Sequence, residues 1–449
     1  MTIEQVIDQG FCVGCGGCKA ASQSTYNIEM SEQGFYKTTF TKPLNSNQKS
    51  VANKLCPFSD EAENEDLLGK SLFKEQKYHT EIGYYSSIYT GHVNSDSKRV
   101  NSSSGGLTSW FAEKLFEKDL IDSIIHVGQV DLMFEYKISK SLDELTDKKN
   151  KKSRYYPVSY SHLIDYIMNT DDRILFIGIP CFVKSIRLLQ KQFKLSNIKF
   201  VFSLLCGHMK SSAFSECLSW QLGVPPNKLK SIDFRVKKEG HKASDYFIES
   251  RAINDDVFLG RNFSLYGSDW GQGFFKHKAC DYCDDIAGEL ADISFGDAWL
   301  PDCIDDYLGT NIVISRNKLL DKLLVEFKNE LTFKTATVED FIQSQAGNFR
   351  HRRTGLKVRI DNSTSWTPSK RMYLYEDETD KTRKRLYLYR SILSNKSNQF
   401  FVIAKKFKSI SLFKILMMPY LFKYDQIRFG RKQAITMHIK NLYNIIRGR

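Results

Sequence analysis

Closely spaced cysteines are the residues of this sequence that most clearly could do chemistry. Three of its ten cysteines stand in the run Cys12-Val-Gly-Cys15-Gly-Gly-Cys18, and Cys56 is followed by Pro57. Such a run can wrap one face of a compact iron–sulfur cluster, because the glycines let the backbone turn tightly around the sulfur atoms. Structural zinc is the alternative, although zinc sites usually have two C-x2-C pairs. We predict a single [4Fe–4S] cluster on these four cysteines.

Four more cysteines could form a second site, namely Cys181, Cys206, Cys280 and Cys283. The last two are a C-x2-C pair, which needs two further ligands to complete a four-sulfur site. We predict that the four bind a second cluster. The alternative is that Cys181 and Cys206 are small buried core residues, as free cysteines often are. For Cys217 and Cys303 we expect packing roles or free thiols.

A strand–helix–strand unit is predicted to position Cys181 and Cys206. Residues 173–178 and 198–205 are short apolar runs typical of buried strands, and residues 182–193 have helical spacing between them. This pattern indicates a βαβ unit and therefore a parallel sheet. The two cysteines would then lie at the carboxyl ends of neighbouring strands, the edge where open α/β sheets bind ligands. Further strands are predicted at 87–93, 124–127 and 291–295.

A loop of small polar residues opens another predicted helix. Ser103, Ser104, Gly105 and Gly106 follow a strand and precede the helix predicted over residues 107–118. Exposed N–H groups and hydroxyls at a helix start suit a phosphate or pyrophosphate, although an ordinary helix cap has the same composition. Asp297 follows a glycine at a strand end, where it could contact a ribose or ribityl hydroxyl or simply cap a turn.

Three other side chains could assist chemistry at this edge. Lys152 and Arg154 could neutralise a cofactor phosphate, or belong to a solvated loop. His208, beside Cys206, could donate a proton or tune a sulfur atom, but a hydrogen-bonded structural role is favoured. No catalytic acid, base or nucleophile is assigned.

The order of these motifs resembles one family, the beta subunits of hydrogenases and dehydrogenases that use the deazaflavin coenzyme F420. The resemblance covers roughly residues 5–320 and rests on the cysteines above, the Ser103–Gly106 loop, Gly178-Ile-Pro-Cys181, Cys206-Gly-His208, and Ala291-Asp-Ile-Ser-Phe-Gly-Asp297-Ala-Trp299. The family's usual Gly-Thr-Pro-Cys has isoleucine here. The resemblance implies FAD bound partly by the serine–glycine loop and fed by iron–sulfur clusters. It also implies ferredoxin or another electron donor, and a deazaflavin-type hydride carrier or a reducible small molecule as substrate. Similar proteins accompany cell-surface polysaccharide enzymes, which implies a role in that biosynthesis.

Length and composition set the broad class. The chain has 449 residues, of which 41% are hydrophobic, so it can bury a sizeable core and is not expected to be disordered. No secretory signal is apparent, and no apolar run reaches the ~18 residues that a membrane span needs. We therefore expect a cytoplasmic protein, where cysteines stay reduced and are read as metal ligands before disulfides.

The C-terminal segment carries the excess positive charge. Residues 381–449 contain 17 Lys and Arg and a single acid, Asp425, so the remainder of the chain is slightly acidic. Residues 399–418 and 433–446 combine apolar residues at helical spacing with lysines, which is typical of helices that lie on anionic membranes. The alternative is a helical subdomain that packs on the body. No nucleic-acid motif accompanies the charge, so nucleic acid is not expected as a partner.

These observations predict an α/β fold in three parts. They are a small ferredoxin-like iron–sulfur module (1–75), a flavin-binding core with a parallel or mixed sheet and the second cluster site (80–370), and a basic helical tail (371–449). The predicted function is an FAD-dependent iron–sulfur oxidoreductase. The alternatives are an electron relay with clusters and no flavin, and a zinc protein without enzymatic activity that docks on a membrane or a glycosyltransferase complex.

Overall fold

The computed structural model describes residues 2–22, 24–130, 133–147 and 152–446, and the side-chain surroundings as far as residue 439. The helices are α1 Ile3–Asp8, α2 Ser46–Leu55, α3 Glu65–Phe73, α4 Asp96–Val100, α5 Leu107–Glu117, α6 Leu142–Thr146, α7 Ile164–Asn169, α8 Pro180–Phe193, α9 Ser212–Gln221, α10 Lys318–Glu326, α11 Val338–Ser344, α12 Ala346–Arg352, α13 Thr354–Asp361, α14 Lys381–Lys406, α15 Ile410–Phe429 and α16 Arg431–Ile446. The strands are β1 Tyr26–Met30, β2 Tyr36–Phe40, β3 Lys77–His79, β4 Gly83–Tyr85, β5 Ser87–Val93, β6 Ser123–Val130, β7 Met133–Ser139, β8 Ile174–Gly178, β9 Ile198–Leu204, β10 Leu229–Val236, β11 Phe247–Ala252, β12 Val257–Arg261, β13 Ile293–Asp297, β14 Asn311–Ser315 and β15 Leu331–Thr335.

An eight-stranded mixed sheet is the centre of the fold. Its strand order is β15-β5-β14-β13-β9-β8-β6-β7. The four strands β13, β9, β8 and β6 are mutually parallel, and the flanking pairs are antiparallel. The predicted βαβ unit is confirmed, because β8 and β9 are adjacent and parallel with α8 between them in sequence. The fold is therefore a mixed α/β fold with a helical C-terminus.

Helices cover both faces of this sheet because its central strands are apolar on both sides. Ile174, Leu175 and Phe176 of β8 are all buried, as expected for a parallel strand inside a domain. On one face α8 packs with the N-terminal segment, and on the other face α5 packs with α10. The two layers hold the carboxyl ends of the parallel strands in a fixed register.

The N-terminal segment packs directly on the sheet. Helices α1 and α2 share one hydrophobic cluster with β8 and α8, in which Phe11, Leu55 and Phe182 are all buried. The β1–β2 hairpin is antiparallel and pairs Tyr26 with Phe40. The predicted cluster module thus lies against α8, the helix that carries Cys181, and its ferredoxin-like character stays a prediction.

The C-terminal helices belong to the core of a second layer. Phe401 of α14 and Phe413 of α15 are buried with Phe274 and Phe275, beside α9 and the antiparallel β10–β12 sheet. That three-stranded sheet has no counterpart in the sequence prediction. The helical subdomain that packs on the body, weighed as an alternative from the sequence, describes α14 and α15.

The single amphipathic helix predicted over residues 399–418 is wrong. Two helices replace it, because α14 ends at Lys406 and α15 begins at Ile410. Between them Lys408 has a positive φ of 49°, and Ser409 caps α15 by accepting a hydrogen bond from the N–H of Leu412. Residues 433–446 do lie in one helix, α16. The side chains of Lys440, Leu442, Tyr443 and Ile446, and Arg447 as a whole, fall outside the described part. None of the described helices combines the length and apolar character needed to span a bilayer.

Candidate functional site

The carboxyl edge of the central sheet gathers the residues predicted to be functional. Strand β5 runs in the same direction as β13, because each is antiparallel to β14 between them. The serine–glycine loop after β5, Cys181 after β8, Cys206 after β9 and Asp297 at the end of β13 therefore share one edge. A cavity of about 1700 Å³ lies there.

The first four cysteines come together at the N-terminal end of the molecule. Cys12, Cys15, Cys18 and Cys56 line one small apolar space of about 20 Å³. Cys12 and Cys15 lie in the loop after α1, Cys18 in a short 3-10 helix, and Cys56 at the end of α2. Burial raises the pKa of Cys18 well above its usual value, and the neighbouring Cys15, Cys12 and Cys56 raise it further. Buried thiols such as that of Cys18 ionise readily only when a cationic centre binds them.

The glycines between these cysteines are required by the close packing around them. Gly14 and Gly16 have positive φ values of 67° and 98°. A Cβ on Gly16 would lie 2.6 Å from Cβ of Ser161. This confirms the structural role that the sequence assigned to the glycines.

Two buried hydroxyls lie beside Cys18. Neither Thr38 Oγ1 nor Tyr26 Oη makes a well-formed hydrogen bond within the described residues, although the two face each other and Cys18. Buried hydroxyls normally find acceptors, and the sulfides of an iron–sulfur cluster accept hydrogen bonds. The donor set and its surroundings therefore fit a cluster.

The second four cysteines also lie together, at the large cavity. Cys206 and Cys280 line it, and the pKa of Cys181 is raised by burial and then by the charges of Cys283, Cys206 and Cys280. The backbone N–H of Met209 donates to Cys280 Sγ at 3.2 Å. Burial raises the pKa of Cys280 to about 12.

Arg352 is the cation of this second set. Its guanidinium donates to Cys283 Sγ at 3.5 Å and to the carbonyl oxygens of Cys206, Gly207 and Asp285. It is 3% exposed. Burial raises the pKa of Cys206 and of Cys283, and Arg352 opposes the rise at both. The arrangement suits a site that carries negative charge when its sulfurs are ionised.

Helix α8 connects the two cysteine sets. It carries Cys181 in its first turn and Ser185 one turn later, and the Cys15 thiol donates to Ser185 Oγ at 3.4 Å. Residues four apart on a helix have Cβ atoms only about 5–6 Å apart. The charge of Cys15 also raises the pKa of Cys181. The two sets are thus separated by a single helical turn.

Among the described residues, no group of three or more His, Cys, Asp or Glu side chains is arranged to hold a metal ion. Cys217 and Cys303 lie apart from both sets, buried in α9 and in the loop after β13 respectively. Their places match the prediction of packing roles.

The serine–glycine loop is where the sequence placed it, at the start of α5. Ser103, Ser104 and Gly106 line the cavity, and Gly106 caps the helix with φ +88°. Gly105 instead packs against strand β5, where a Cβ would lie 2.7 Å from the carbonyl oxygen of Gly91. The side chains have internal partners, because Ser104 Oγ donates to the Thr310 carbonyl and Ser103 Oγ accepts from the N–H of Ser153.

Asp297 lies in the cavity wall beside a buried arginine. Its carboxylate accepts two hydrogen bonds from Arg235, each 3.2 Å long. Burial lowers the pKa of Arg235, but Asp297 together with Tyr155 and Tyr246 raises it, so that the pKa of Arg235 lies above its usual value. Arg235 also donates to the carbonyl oxygen of Ser103, which ties Asp297 to the loop.

Of the other predicted side chains, Lys152 and Arg154 both line the cavity. Lys152 pairs with Asp233 at 2.6 Å, and Arg154 lies 4.6 Å above the Phe134 ring. His208 is buried against Trp270, and its Nε2 has no hydrogen-bond partner among the described residues. The predicted hydrogen-bonded role of His208 is thus not seen at Nε2.

The sequence reasoning missed several cationic residues of this cavity. Arg235, Lys210 and Arg352 are buried in its wall. They come from a strand, a loop and a helix far apart in sequence, so no spacing rule could group them. A fourth, Arg390, lies in the C-terminal tail, for which the sequence allowed both a membrane-docking helix and a helical subdomain packed on the body.

One set of four cysteines at a large, cation-lined cavity, with a second set one helical turn away, is an arrangement that fits the class of oxidoreductases. The chain belongs to the coenzyme F420 hydrogenase/dehydrogenase beta-subunit family. The model of the N-terminal part of that subunit matches residues 88–165, and the model of its C-terminal part matches residues 171–340. Iron–sulfur clusters are characteristic of this family. The first cysteine set and α14–α16 lie outside the matched segments.

Two individual proteins resemble the chain. An uncharacterised protein of Methanocaldococcus jannaschii is 21% identical over 243 residues, which is 51% of this chain and 78% of the relative. A chain of the F420-reducing [NiFe] hydrogenase complex from Methanosarcina barkeri superimposes with a TM-score of 0.49 at 14% identity, covering 66% of this chain and 99% of that one.

Proposed function

We propose that the protein is an FAD-dependent oxidoreductase that moves electrons between two [4Fe–4S] clusters and a hydride carrier or reducible organic substrate. One observation carries the proposal: two four-cysteine sets lie one helical turn apart, and the second opens into the cavity that the serine–glycine loop lines. Family membership supports the redox class.

The two cysteine sets suit clusters better than zinc. Zinc sites usually have two C-x2-C pairs, whereas Cys12, Cys15 and Cys18 stand in tandem, a spacing typical of iron–sulfur ligands. The unpartnered hydroxyls of Thr38 and Tyr26 supply donors for the first cluster. For the second cluster, Arg352 and the N–H of Met209 play this part.

The order of the sites suggests a path for electrons. We call the cluster on Cys12, Cys15, Cys18 and Cys56 the outer cluster and the one on Cys181, Cys206, Cys280 and Cys283 the inner cluster. The Cys15 thiol contacts Ser185, one turn from Cys181 on α8, so the two clusters would be near neighbours. The inner set lies against the cavity, whereas the outer set lies in the N-terminal segment, towards an external donor. We infer that ferredoxin or another electron carrier reaches the outer cluster.

Flavin is the cofactor that the cavity would hold between the inner cluster and the substrate. A flavin exchanges both single electrons and hydride, which is the coupling that such a site needs. The backbone at Ser103, Ser104 and Gly106 opens α5 and would face the pyrophosphate. Lys152 and Arg154 lie in the same wall and add positive charge. Asp297, tied to the loop through Arg235, would accept a hydrogen bond from a ribose or ribityl hydroxyl.

The flavin site can be tested by a matched pair of substitutions. Ser103→Asp places a negative charge against the phosphates, whereas Ser103→Asn has nearly the same size and no charge. We expect the aspartate variant to lose FAD on gel filtration and the asparagine variant to retain it. Equal retention by both would show that the loop does not contact the phosphates.

The substrate class follows from the family and from the sequence resemblance. We propose a deazaflavin-type carrier or a reducible small molecule, used in the cytoplasm in cell-surface polysaccharide biosynthesis. An electron relay without flavin is the first alternative, and a zinc-binding docking protein is the second. Flavin and iron content separate all three.

A second proposal concerns an anionic membrane surface, favoured by the corner between α14 and α15. Phe407 there is 72% exposed and Ile403 is 37% exposed. Lys405, Lys406 and Lys408 surround them, and each lysine adds about 1 kcal/mol near anionic lipid. The protein would then lie on the inner face of the membrane without its helices unpacking.

A further inference from the structure

The cavity extends well beyond what a cofactor needs, towards the C-terminal helices. Its volume of about 1700 Å³ exceeds the roughly 300–1000 Å³ of a typical ligand pocket. The wall away from the serine–glycine loop is built by α14 and α15, through Tyr387, Arg390 and Tyr424 among others. These helices lie outside the segments matched by the family models. This end, which we call the tail-side pocket, is therefore built largely by helices outside the matched segments.

The cavity is lined by many more cationic side chains than carboxylates. Twelve Lys and Arg side chains line it, against three aspartates. Two of the aspartates are already paired, Asp297 with Arg235 and Asp281 with both Lys276 and Arg359. The third, Asp269, lies 3.8 Å from Arg428. The carboxylates therefore leave most of the positive charge in the wall uncompensated.

Lys210 and Arg390 are two buried cations of the cavity wall that form no ion pair with a carboxylate among the described residues. Lys210 is 2% exposed; its ammonium donates to the Phe274 carbonyl at 2.6 Å and lies 4.5 Å and 4.8 Å from the ring centres of Phe214 and Trp270. Arg390 donates to the Trp270 carbonyl and contacts the His351 ring, and its Nε has no partner. Lys276 lies close to Arg390. Both side chains approach Gly273, since a Cβ at that position would be 3.8 Å from Lys276 Nζ and 3.9 Å from Arg390 Nε.

Buried cations are unfavourable unless an anion compensates them. The inner cysteine set is one source of negative charge, but Arg352 already contacts it. His208, beside Trp270, adds an unpartnered buried Nε2 to the same wall. Several cations and one imidazole nitrogen converging on open space match a phosphate, which has three acceptor oxygens and a charge near −2.

We propose that the tail-side pocket binds the phosphate group of a phosphorylated organic substrate, held by Lys210, Arg390 and Lys276. The aromatic rings of Trp270 and Tyr387 in the same wall would pack against its organic part. The proposal stands on the cavity itself and rests on the proposed function only in naming the ligand a substrate.

Calorimetric titration of the anaerobically purified full-length protein with inorganic pyrophosphate tests this pocket. Arg390→Gln and Lys210→Met should each weaken binding by about tenfold or more, because each removes a charge-assisted hydrogen bond. Their iron and FAD contents should match the wild type. Arg390→Lys should keep most of the affinity. Arg385→Gln should leave it unchanged, since Arg385 is exposed on the same helix and does not line the cavity.

Three results would overturn the proposal. They are no binding to the wild type, equal affinity of all variants, and a loss of iron in Arg390→Gln that parallels the loss of binding, which would assign the charge to the inner cluster. If the buried variants do not fold, pyrophosphate should still raise the melting temperature of the wild type above that in chloride at equal ionic strength, and no rise would refute the pocket. Ser103→Asp separates the two proposals, since it should release FAD and leave pyrophosphate affinity intact.

Discussion

Phe413→Ala tests whether the C-terminal helices are part of the fold or a detachable docking element. Phe413 is 0% exposed. Its ring lies 5.5 Å from that of Phe275, 5.4 Å from Phe401, 6.3 Å from Phe274 and 6.1 Å from Tyr266. Removing a buried phenylalanine side chain costs about 3–5 kcal/mol. Because four rings lose a partner here, and each aromatic pair adds about 0.5–1.5 kcal/mol, we expect a loss of roughly 4–5 kcal/mol.

Phe407→Ala is the matched control, six residues earlier and 72% exposed. Its effect on the free energy of unfolding should stay within about 0.5 kcal/mol. The assay is urea denaturation of the anaerobic protein, followed by tryptophan fluorescence and by release of cluster absorbance. If the two variants lost equal stability, or if Phe413→Ala lost none, the packing of α15 on Phe274 and Phe275 would be refuted.

Three further predictions follow from the sites. Cys181→Ala and Cys283→Ala should each remove about half of the iron and keep the EPR signal of the N-terminal cluster, whereas the buried Cys217→Ala should keep all of it; unchanged iron in the first two would exclude the inner cluster. Phe407→Ser should abolish co-sedimentation with anionic liposomes at low salt, and if wild type and variant both stay in the supernatant, the membrane surface is wrong. Pyrophosphate affinity should be high at pH 7 and fall as pH rises past about 8, because burial lowers the pKa of Lys276 to about 8 despite Asp281, with Arg390 and Arg359 lowering it further; a flat profile between pH 7 and 9 would exclude Lys276 from the pocket.

Local patterns in the sequence were enough to predict the central βαβ unit. Alternation of apolar runs with helical spacing placed β8, α8 and β9 within a few residues, and β5 at its observed bounds. The shared edge of Cys181 and Cys206 followed from the parallel pairing of those strands. These features depend on near neighbours in the chain, which is why sequence reasoning reached them.

Long-range packing accounts for what the sequence did not reveal. The burial of α14 and α15 arises from contacts between residues more than a hundred positions apart, such as Phe275 with Phe413. Residues 399–418 have a good amphipathic pattern, but the cap at Ser409 divides them into two helices that face the core. The cations Lys210, Arg352 and Arg390 converge only in three dimensions. From the sequence alone, these three cations could not be told apart from ordinary solvated surface charges.

The central claim is that this chain couples iron–sulfur clusters to a flavin, and metal analysis with an absorption spectrum of the anaerobically purified protein tests it most directly. The account predicts about eight iron atoms per chain. It also predicts one releasable FAD, with resolved flavin bands above a broad brown cluster absorbance. Stoichiometric zinc without iron would contradict both cluster sites, and full iron without any flavin would reduce the protein to an electron relay.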